Sequence, residues 1–198
     1  MEKKIGVFLS RMQPLHVGHI GIIETALKEN DQVLIIIGSK NKFGTIRNPI
    51  DVELRRKILE EALEEKFGKE YKEKILIYEL PDWSKETETE TFLEWGRYLY
   101  YNIVSNIEQK EFSIYFSDDE ELIKSWFEEE LQNRIHFRLF ERNNMYNAVS
   151  STKIRQAFLD NNAEYIKCSC PMAVINRYDE IKEIIEKVNN NPKDDYSM

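Results

Sequence analysis

The sequence predicts an α/β fold in which a doubly wound parallel sheet of about five strands is followed by C-terminal helices. Apolar runs of strand length alternate with longer segments of helical periodicity along nearly the whole chain. The first two apolar runs, residues 5–9 and 33–37, are continuous and rich in β-branched residues, as in strands buried on both faces. Repeated β-α units join parallel strands by right-handed crossovers, which place helices on both faces in a Rossmann-like arrangement.

Five strands are predicted in order along the chain. The first two are continuous apolar runs, the third is apolar apart from Glu79, and the fourth is an aromatic-rich run of similar length. In the fifth, apolar residues alternate with His136 and Arg138, which is typical of an edge strand with one exposed face. We therefore expect His136 to be a surface residue without a role. The predicted strands are residues 5–9, 33–37, 75–80, 112–116 and 135–139.

Helices are predicted where apolar residues recur at three- and four-residue spacing. The clearest helix follows Pro49, where Asp51 suits the N-cap position and Leu54, Ile58 and Ala62 form one apolar face. Similar groups of apolar residues predict five further helices. Their apolar residues are Ile20, Ile23, Ala26 and Leu27; Phe92, Trp95, Leu99 and Ile103; Leu122, Ile123, Trp126 and Phe127; Ile154 and Phe158; and Ile181, Ile184 and Val188.

Length and charge limit the classes of protein that fit. At 198 residues we expect one domain, residues 1–191, and a frayed tail, residues 192–198. A net charge of −8 argues against a nucleic-acid partner, which needs a basic surface. Arg11 interrupts the first apolar run, so no secretion signal is expected, and no run is long enough to span a membrane. We expect a cytoplasmic protein, whose Cys168 and Cys170 are reduced and structural.

Residues 10–19, Ser-Arg-Met-Gln-Pro-Leu-His-Val-Gly-His, carry the strongest chemical signal in the chain. They hold two of the three histidines, directly after the first strand and at the start of the first helix. Helix N-termini attract anions, and the imidazoles and Arg11 can donate hydrogen bonds to phosphoryl oxygens. Gly18 would let a phosphate approach the backbone closely. The segment predicts a polyphosphate site in which His16 and His19 stabilise charge on a reacting phosphorus and a departing pyrophosphate.

A second motif, Ser-Ser-Thr-Lys-Ile-Arg, occupies residues 150–155. Serine and threonine are preferred N-caps, so these residues alone predict only a well-capped helix. Beside the first motif they also predict a second anion site, in which hydroxyls, backbone N–H groups and Arg155 share one helix N-terminus.

The two motifs resemble those of the HxGH nucleotidyltransferase superfamily, (H/T)xGH near the N-terminus and SSTxIR toward the C-terminus. Residues 10–19 are most similar to the GRFQPFHxGH signature of archaeal-type nicotinamide-mononucleotide (NMN) adenylyltransferases. Ile-Gly-Ser at 37–39, Thr-Ile-Arg-Asn-Pro at 45–49 and Leu-Pro-Asp at 80–82 resemble further segments of that family. The resemblance implies AMP transfer from ATP to NMN or nicotinate mononucleotide, which gives NAD or its deamido form and pyrophosphate.

The resemblance also implies which residues bind ATP. His16, His19, Arg11 and Arg155 would be the catalytic groups, and Ser151 and Thr152 would join Arg155 in holding the β- and γ-phosphates. Mg²⁺ would arrive on the ATP phosphates, so no residue is assigned as a metal ligand. The complete set implied for ATP is Ser10, Arg11, His16, Gly18, His19, Ser151, Thr152 and Arg155.

A second group of residues is implied for the mononucleotide. Gly38 and Ser39 would line its pocket, and Arg47 would hold its phosphate near the junction of the two substrates. Asp82 would accept a hydrogen bond from the nicotinamide amide, and Trp95 would stack on the pyridine ring.

Three segments depart from the family pattern. Ser10 stands where the family usually has glycine, which bears on how closely a ligand approaches the backbone there. Ser117-Asp118 replaces a Gly-Asn pair after the fourth strand, which bears on the adenine or ribose contacts. The loop at residues 84–91 is longer and more charged than that of the family, which bears on the residues that reach the pyridine ring.

Other interpretations stay open. Transfer to pantetheine phosphate, or CTP-dependent transfer to a polyol phosphate, would use the same two motifs. A non-catalytic nucleotide sensor on the same fold is the alternative from another class, and the intact His16, His19 and Arg155 argue against it. The sequence leaves open the amide or acid form of the acceptor and the roles of the cysteine pair and loop 84–91. It does not give the oligomeric state, although the resemblance is compatible with a homo-oligomer.

Overall fold

Five parallel strands form one sheet in the order β3-β2-β1-β4-β5. The computed structural model describes residues 3–82, 92–117, 119–141 and 149–193. The doubly wound α/β fold is confirmed, and each strand agrees with its predicted bounds to within one residue. The strands are β1 (Ile5–Ser10), β2 (Gln32–Ile37), β3 (Ile75–Glu79), β4 (Phe112–Phe116) and β5 (Ile135–Leu139).

Helices cover both faces of the sheet. In the described ranges they are α1 (Val17–Glu29), α2 (Val52–Phe67), α3 (Tyr71–Lys74), α4 (Phe92–Ile107), α5 (Glu120–Lys124), α6 (Glu129–Gln132), α7 (Ser151–Leu159), α8 (Ala163–Ser169), α9 (Met172–Ile175) and α10 (Tyr178–Asn190). Residues of α1, α2 and α7–α10 share one core cluster, and residues of α4, α5 and α6 share the other. The C-terminal helices therefore thicken one layer of the fold.

The central strand β2 shows why its sequence is apolar throughout. Val33, Ile35 and Ile37 belong to the core cluster on one face, whereas Leu34 and Ile36 belong to the cluster on the other. Successive side chains of a strand point to opposite faces, so both faces of β2 need apolar residues. The continuous run is a consequence of burial on two sides.

The strand order places a crevice at a defined point of the sheet. From β1 the chain continues to β2 and β3 on one side, and later returns to add β4 and β5 on the other. The loops after β1 and β4 therefore diverge at their carboxyl ends. In open parallel sheets, ligands bind at such a switch point.

Two predicted helix starts are capped as their sequences indicate. The Asp51 carboxylate accepts a hydrogen bond from the Leu54 N–H at 2.8 Å, which confirms its N-cap position on α2. The Ser150 hydroxyl accepts from the Lys153 N–H at 3.2 Å and caps α7. Both helices begin where their motifs predict.

The helix predicted around Leu122 and Trp126 is shorter than expected. Helix α5 ends at Lys124, and a turn leads to α6. The side-chain amide of Gln132 donates to the carbonyl oxygens of Lys124 and Phe127 at 3.1 and 2.8 Å. It satisfies two carbonyls at the broken end, and the apolar spacing alone carried no sign of this interaction.

Several predictions concern residues outside the described ranges. These are the charged loop at 84–91, Asp118, and positions 194–198 of the expected tail. Within the described ranges, the backbone N–H of Lys193 donates to the carbonyl of Gly44 at 2.9 Å, and its ammonium lies 3.9 Å from the Phe43 ring centroid. The start of the expected tail is thus attached to the loop after β2.

Cys168 and Cys170 are both free thiols, as expected. Cys168 is exposed, whereas Cys170 is buried, and burial raises the pKa of the Cys170 thiol to about 12. The second thiol is therefore protonated at neutral pH and packs as a small apolar group. Among the described helices, none is both long and apolar enough to cross a membrane.

Gly96 allows α4 to touch the turn after α5. A Cβ at this position would overlap the carbonyl group of Trp126 and lie 3.2 Å from the Phe127 nitrogen. In an unobstructed helix, alanine would stabilise by about 1 kcal/mol relative to glycine. Here the overlap is with backbone, which cannot move without displacing the turn.

We expect Gly96→Ala to lower the free energy of unfolding by about 1–3 kcal/mol, because overpacking outweighs the gain in helix propensity. Urea denaturation followed by circular dichroism measures it. The control is Gly38→Ala, whose Cβ would make an ordinary 3.4 Å contact with Leu9. A Gly96→Ala protein as stable as the wild type would show that α4 does not touch the turn in this way.

Candidate functional site

A cavity of about 510 Å³ lies at the carboxyl ends of β1 and β4, at the switch point of the sheet. Both motifs reach it, together with the loops after β2 and β3. All residues predicted for ATP or the mononucleotide line this cavity. They are Ser10, Arg11, His16, Gly18, His19, Gly38, Ser39, Arg47, Asp82, Trp95, Ser151, Thr152 and Arg155.

The two motif histidines stack on each other at the start of α1. Their ring centroids are 3.6 Å apart with an interplanar angle of 20°, and both residues are buried. A Cβ on Gly18 would lie 3.0 Å from His16 Nδ1. Glycine at this position leaves room for the His16 ring to fold back over the helix start, in addition to any close approach by a ligand.

Hydrogen bonds define the tautomer of His19. The backbone N–H of His16 donates to His19 Nδ1 at 3.2 Å, and His19 Nε2 lies 3.0 Å from the Ser10 hydroxyl oxygen. A backbone N–H can only donate, so Nδ1 carries a lone pair and the ring proton is on Nε2. The Nε2–H therefore donates to Ser10.

The second motif binds directly to the first. The Arg155 guanidinium donates to the carbonyl of Gln13 at 2.8 Å, and the Ser151 hydroxyl donates to the carbonyl of Pro14 at 3.1 Å. Arg155 also donates to the Thr152 hydroxyl at 3.3 Å. Residues predicted to contact phosphate thus also connect two segments that are far apart in sequence.

Positive charge is concentrated in the cavity. Burial, and then the charge of Arg11, lower the pKa of Arg155 from its usual value. The side chains of Arg11 and Arg47 are exposed, and neither makes a hydrogen bond or ion pair within the described ranges. A protein of net charge −8 therefore presents a local group of arginines that an anion can neutralise.

Arg55 is a structural residue of the site that sequence reasoning missed. Its guanidinium is almost fully buried and donates to the carbonyls of Arg11, Gly38 and Ser39 at 2.7–2.9 Å. Its Nε also donates to the carbonyl of Asp51 at 3.2 Å. Burial lowers its pKa to about 10, so the group stays charged at neutral pH. The only sequence signal was an arginine on the apolar stripe of α2.

Gln13 makes a second connection that the motif did not reveal. Its side-chain amide donates to the carbonyl of Ile50 at 2.8 Å and accepts from the Ile50 N–H at 3.0 Å. The side chain is buried. Together, Gln13 and Arg55 fix the loop after β1 against the start of α2.

Two residues predicted to bind the mononucleotide, Ser39 and Asp82, contact each other. The Ser39 hydroxyl donates to Asp82 Oδ1 at 2.9 Å, and the Lys42 ammonium lies 3.7 Å from Oδ2. The Asn41 side-chain oxygen accepts from the Asp82 N–H at 2.8 Å. Ser39 has a φ of 52°, a left-handed conformation that directs the chain across the end of β2.

Aromatic side chains form one wall of the cavity. Trp95 and Trp126 both line it, with ring centroids 6.4 Å apart and rings nearly perpendicular. Tyr98 lies 5.8 Å from Trp95 on the same helix. The sequence predicted Trp95, but Trp126 was interpreted only as part of a helix face.

His136, which the sequence places on the fifth strand, lies outside this cavity. His136 is exposed on β5, at the opposite end of the sheet, and stays without an assigned role. In the described ranges, no group of three or more His, Cys, Asp or Glu residues is placed to hold a metal ion.

A family model described as cytidylyltransferase-like matches residues 7–157 of the chain. Nicotinamide-nucleotide adenylyltransferases of Pyrococcus furiosus and Pyrococcus horikoshii are 38% and 40% identical to it over 79 and 78 residues. These alignments cover 40% and 39% of this chain, and 42% and 40% of the two relatives. The chain thus matches less than half of each relative's length.

The fold is also similar to that of solved structures that include an NMN adenylyltransferase. A bifunctional NMN adenylyltransferase/ADP ribose pyrophosphatase of Francisella tularensis, complexed with AMP and a manganese ion, has a TM-score of 0.71 at 22% identity. That comparison covers 96% of this chain and 53% of the other. At this identity the similarity establishes the fold alone.

We expect Arg55→Met to lower the free energy of unfolding by at least about 3 kcal/mol, since hydrogen bonds from charged donors contribute about 1.5–3 kcal/mol each. The matched control is Arg56→Met, which removes ion pairs to Glu60 and Glu79 from a more exposed side chain. That change should cost less than about 1 kcal/mol. Urea unfolding of both proteins compares them, and equal losses would contradict the role assigned to Arg55.

Proposed function

The chain belongs to the cytidylyltransferase-like family, and from this premise we propose that it transfers AMP from MgATP to a pyridine mononucleotide. The products are NAD, or its deamido form, and pyrophosphate. We propose that it works in the cytoplasm, because both substrates are charged nucleotides that do not cross a bilayer unaided.

This proposal rests on one observation: two helix N-termini and several arginines line the same cavity. Helices α1 and α7 both begin at the cavity wall, and Arg11, Arg47 and Arg155 line it. Two helix starts and three cations suit a triphosphate better than a single phosphate. Asp82 and Trp95 form a separate part of the same cavity, where a base can be recognised.

The proposed reaction is a direct displacement on the α-phosphorus of ATP. An oxygen of the acceptor's phosphate forms the new P–O bond, and the bond to the β-phosphate breaks with its electron pair leaving on pyrophosphate. The chain contributes orientation and stabilisation of charge, because neither step needs a covalent bond to the protein. Mg²⁺ arrives with ATP as part of the substrate and offsets phosphate charge.

The arginines divide between the two substrates in this proposal. Arg11 and Arg155 lie beside the N-termini of α1 and α7 and bind the triphosphate. Arg47, exposed at the cavity rim, binds the phosphate of the acceptor. The arginines would hold the ATP triphosphate and the acceptor phosphate close together, although the two anions repel each other in water. This positioning is part of the catalytic effect.

Asp82 favours the amide form of the acceptor. Its carboxylate is held by Ser39 and Lys42, so an oxygen can accept a hydrogen bond from a carboxamide N–H. A nicotinate carboxylate at the same place would be repelled by Asp82. We therefore propose that NMN is used at least as well as nicotinate mononucleotide, with Trp95 packed against the ring.

The test is a substrate panel followed by pyrophosphate release. ATP and CTP are each combined with NMN, nicotinate mononucleotide, pantetheine phosphate and glycerol phosphate, and the nucleotide products are identified by chromatography. We expect NAD from ATP and NMN, and little product from CTP. His19→Ala is the background control and should lose about 10²–10³ in kcat, the typical effect of removing a preorganised donor.

Two outcomes would contradict the proposal in different ways. Formation of dephospho-coenzyme A or a CDP-linked product, without NAD, would assign another acceptor to the same chemistry. ATP binding without product from any acceptor would favour the nucleotide-sensor alternative.

A further inference from the structure

We propose that Ser10 is the last member of a hydrogen-bond relay that begins at the backbone N–H of His16, the N-cap of α1, and that its hydroxyl donates to a phosphoryl oxygen of ATP. The relay runs from the His16 N–H to the His19 ring and from there to Ser10. The inference deepens the proposed function and rests on it for the identity of the phosphate.

The first half of the relay follows from the tautomer of His19. Nδ1 accepts the His16 N–H at 3.2 Å, which leaves Nε2 as the protonated nitrogen. Nε2 lies 3.0 Å from Ser10 Oγ. A doubly protonated ring could not accept at Nδ1, so the ring acts as a neutral connector between the backbone and the serine.

The second half of the relay follows from the hydrogen bonds that the Ser10 oxygen accepts. Ser10 Oγ accepts the His19 Nε2–H and, at 3.4 Å, the backbone N–H of Met12. A hydroxyl has two acceptor lone pairs and one proton, so both lone pairs are occupied and the proton is directed away from these donors. Ser10 is partly exposed and lines the cavity between the two helix N-termini.

Ser10 is also well fixed. It is the last residue of β1, and its carbonyl accepts the Gly38 N–H at 3.0 Å. Its backbone is therefore held between β1 and the loop after β2. A donor that needs little reorganisation stabilises developing charge most effectively.

The relay makes Ser10 a stronger donor than an isolated serine. Each hydrogen bond in a chain polarises the next, so donation from the His19 N–H strengthens the Ser10 O–H as a donor. In this arrangement the His19 N–H polarises the Ser10 hydroxyl, and the proton of Ser10 is the one donated to the phosphoryl oxygen. A glycine at position 10, as in the family that the sequence resembles, would lack this hydroxyl.

The first test needs no substrate. Ring ¹⁵N NMR of the free protein is simplified because the chain has only three histidines, and a His19→Gln variant identifies the His19 signals. We expect a protonated Nε2 and an unprotonated Nδ1. In Ser10→Ala the Nε2–H signal of His19 should shift and exchange faster with water. The control is Ser113→Ala, which changes a serine near the N-terminal end of β4, away from the cavity, and should leave the signal unchanged. A protonated Nδ1, or an Nε2–H unaffected by Ser10→Ala, would overturn the relay.

The second test measures phosphate recognition. We expect Ser10→Ala to lower kcat/KM for ATP by about 10- to 100-fold, the range for losing a hydrogen bond to a charged group. Ser10→Thr keeps the hydroxyl and should restore most of the loss, and Ser113→Ala should match the wild type. Wild-type kinetics in Ser10→Ala would overturn the donor role.

Titration with inorganic pyrophosphate separates this inference from the proposed function. If the wild type transfers no nucleotide, the proposed function fails, but weaker pyrophosphate binding in Ser10→Ala than in Ser10→Thr still supports the donor. Equal binding by all three proteins would overturn it.

Discussion

The site depends on one buried guanidinium. Arg55, from the first turn of α2, binds carbonyl oxygens on the loops that follow β1 and β2. Those loops carry Arg11, Gly38 and Ser39, so a single side chain holds the loop after β1 at a fixed distance from the loop after β2. Taking a charge into the interior is costly, and several carbonyl partners offset that cost only while the loops keep their positions.

A second set of contacts joins the two motifs. Gln13 pairs with both backbone groups of Ile50, and its own carbonyl accepts Arg155. The segment between β1 and α1 is therefore held by α2 on one side and by α7 on the other. These contacts explain why two helix N-termini face the same cavity, and the proposed phosphate binding depends on that arrangement.

The sequence predicted the sheet and the location of the site well, because both follow from local patterns. Apolar runs identify buried strands, and the order of β-α units places the loops after β1 and β4 at one edge. The predicted site residues were therefore expected to converge, and all of those assigned to ATP or the mononucleotide line one cavity. Their individual roles in substrate binding remain predictions.

What the sequence could not supply are contacts between distant residues. Arg55 interrupts an apolar stripe, but nothing local shows that three loop carbonyls surround it. Arg155 and Ser151 were interpreted as phosphate ligands, and the pattern gave no sign that they also bind the backbone of Gln13 and Pro14. Trp126 lines the cavity and its turn packs against Gly96 of α4, and both contacts depend on packing between distant segments and not on apolar spacing.

We propose that one cavity binds the triphosphate between the N-termini of α1 and α7, with the acceptor at Asp82 and Trp95. A crystal structure with Mg²⁺ and a non-hydrolysable ATP analogue tests it most directly. We expect the triphosphate beside Ser10, Arg11 and Arg155, with the α-phosphorus directed toward Arg47. A triphosphate bound against Trp95 and Asp82, or outside this cavity, would contradict it.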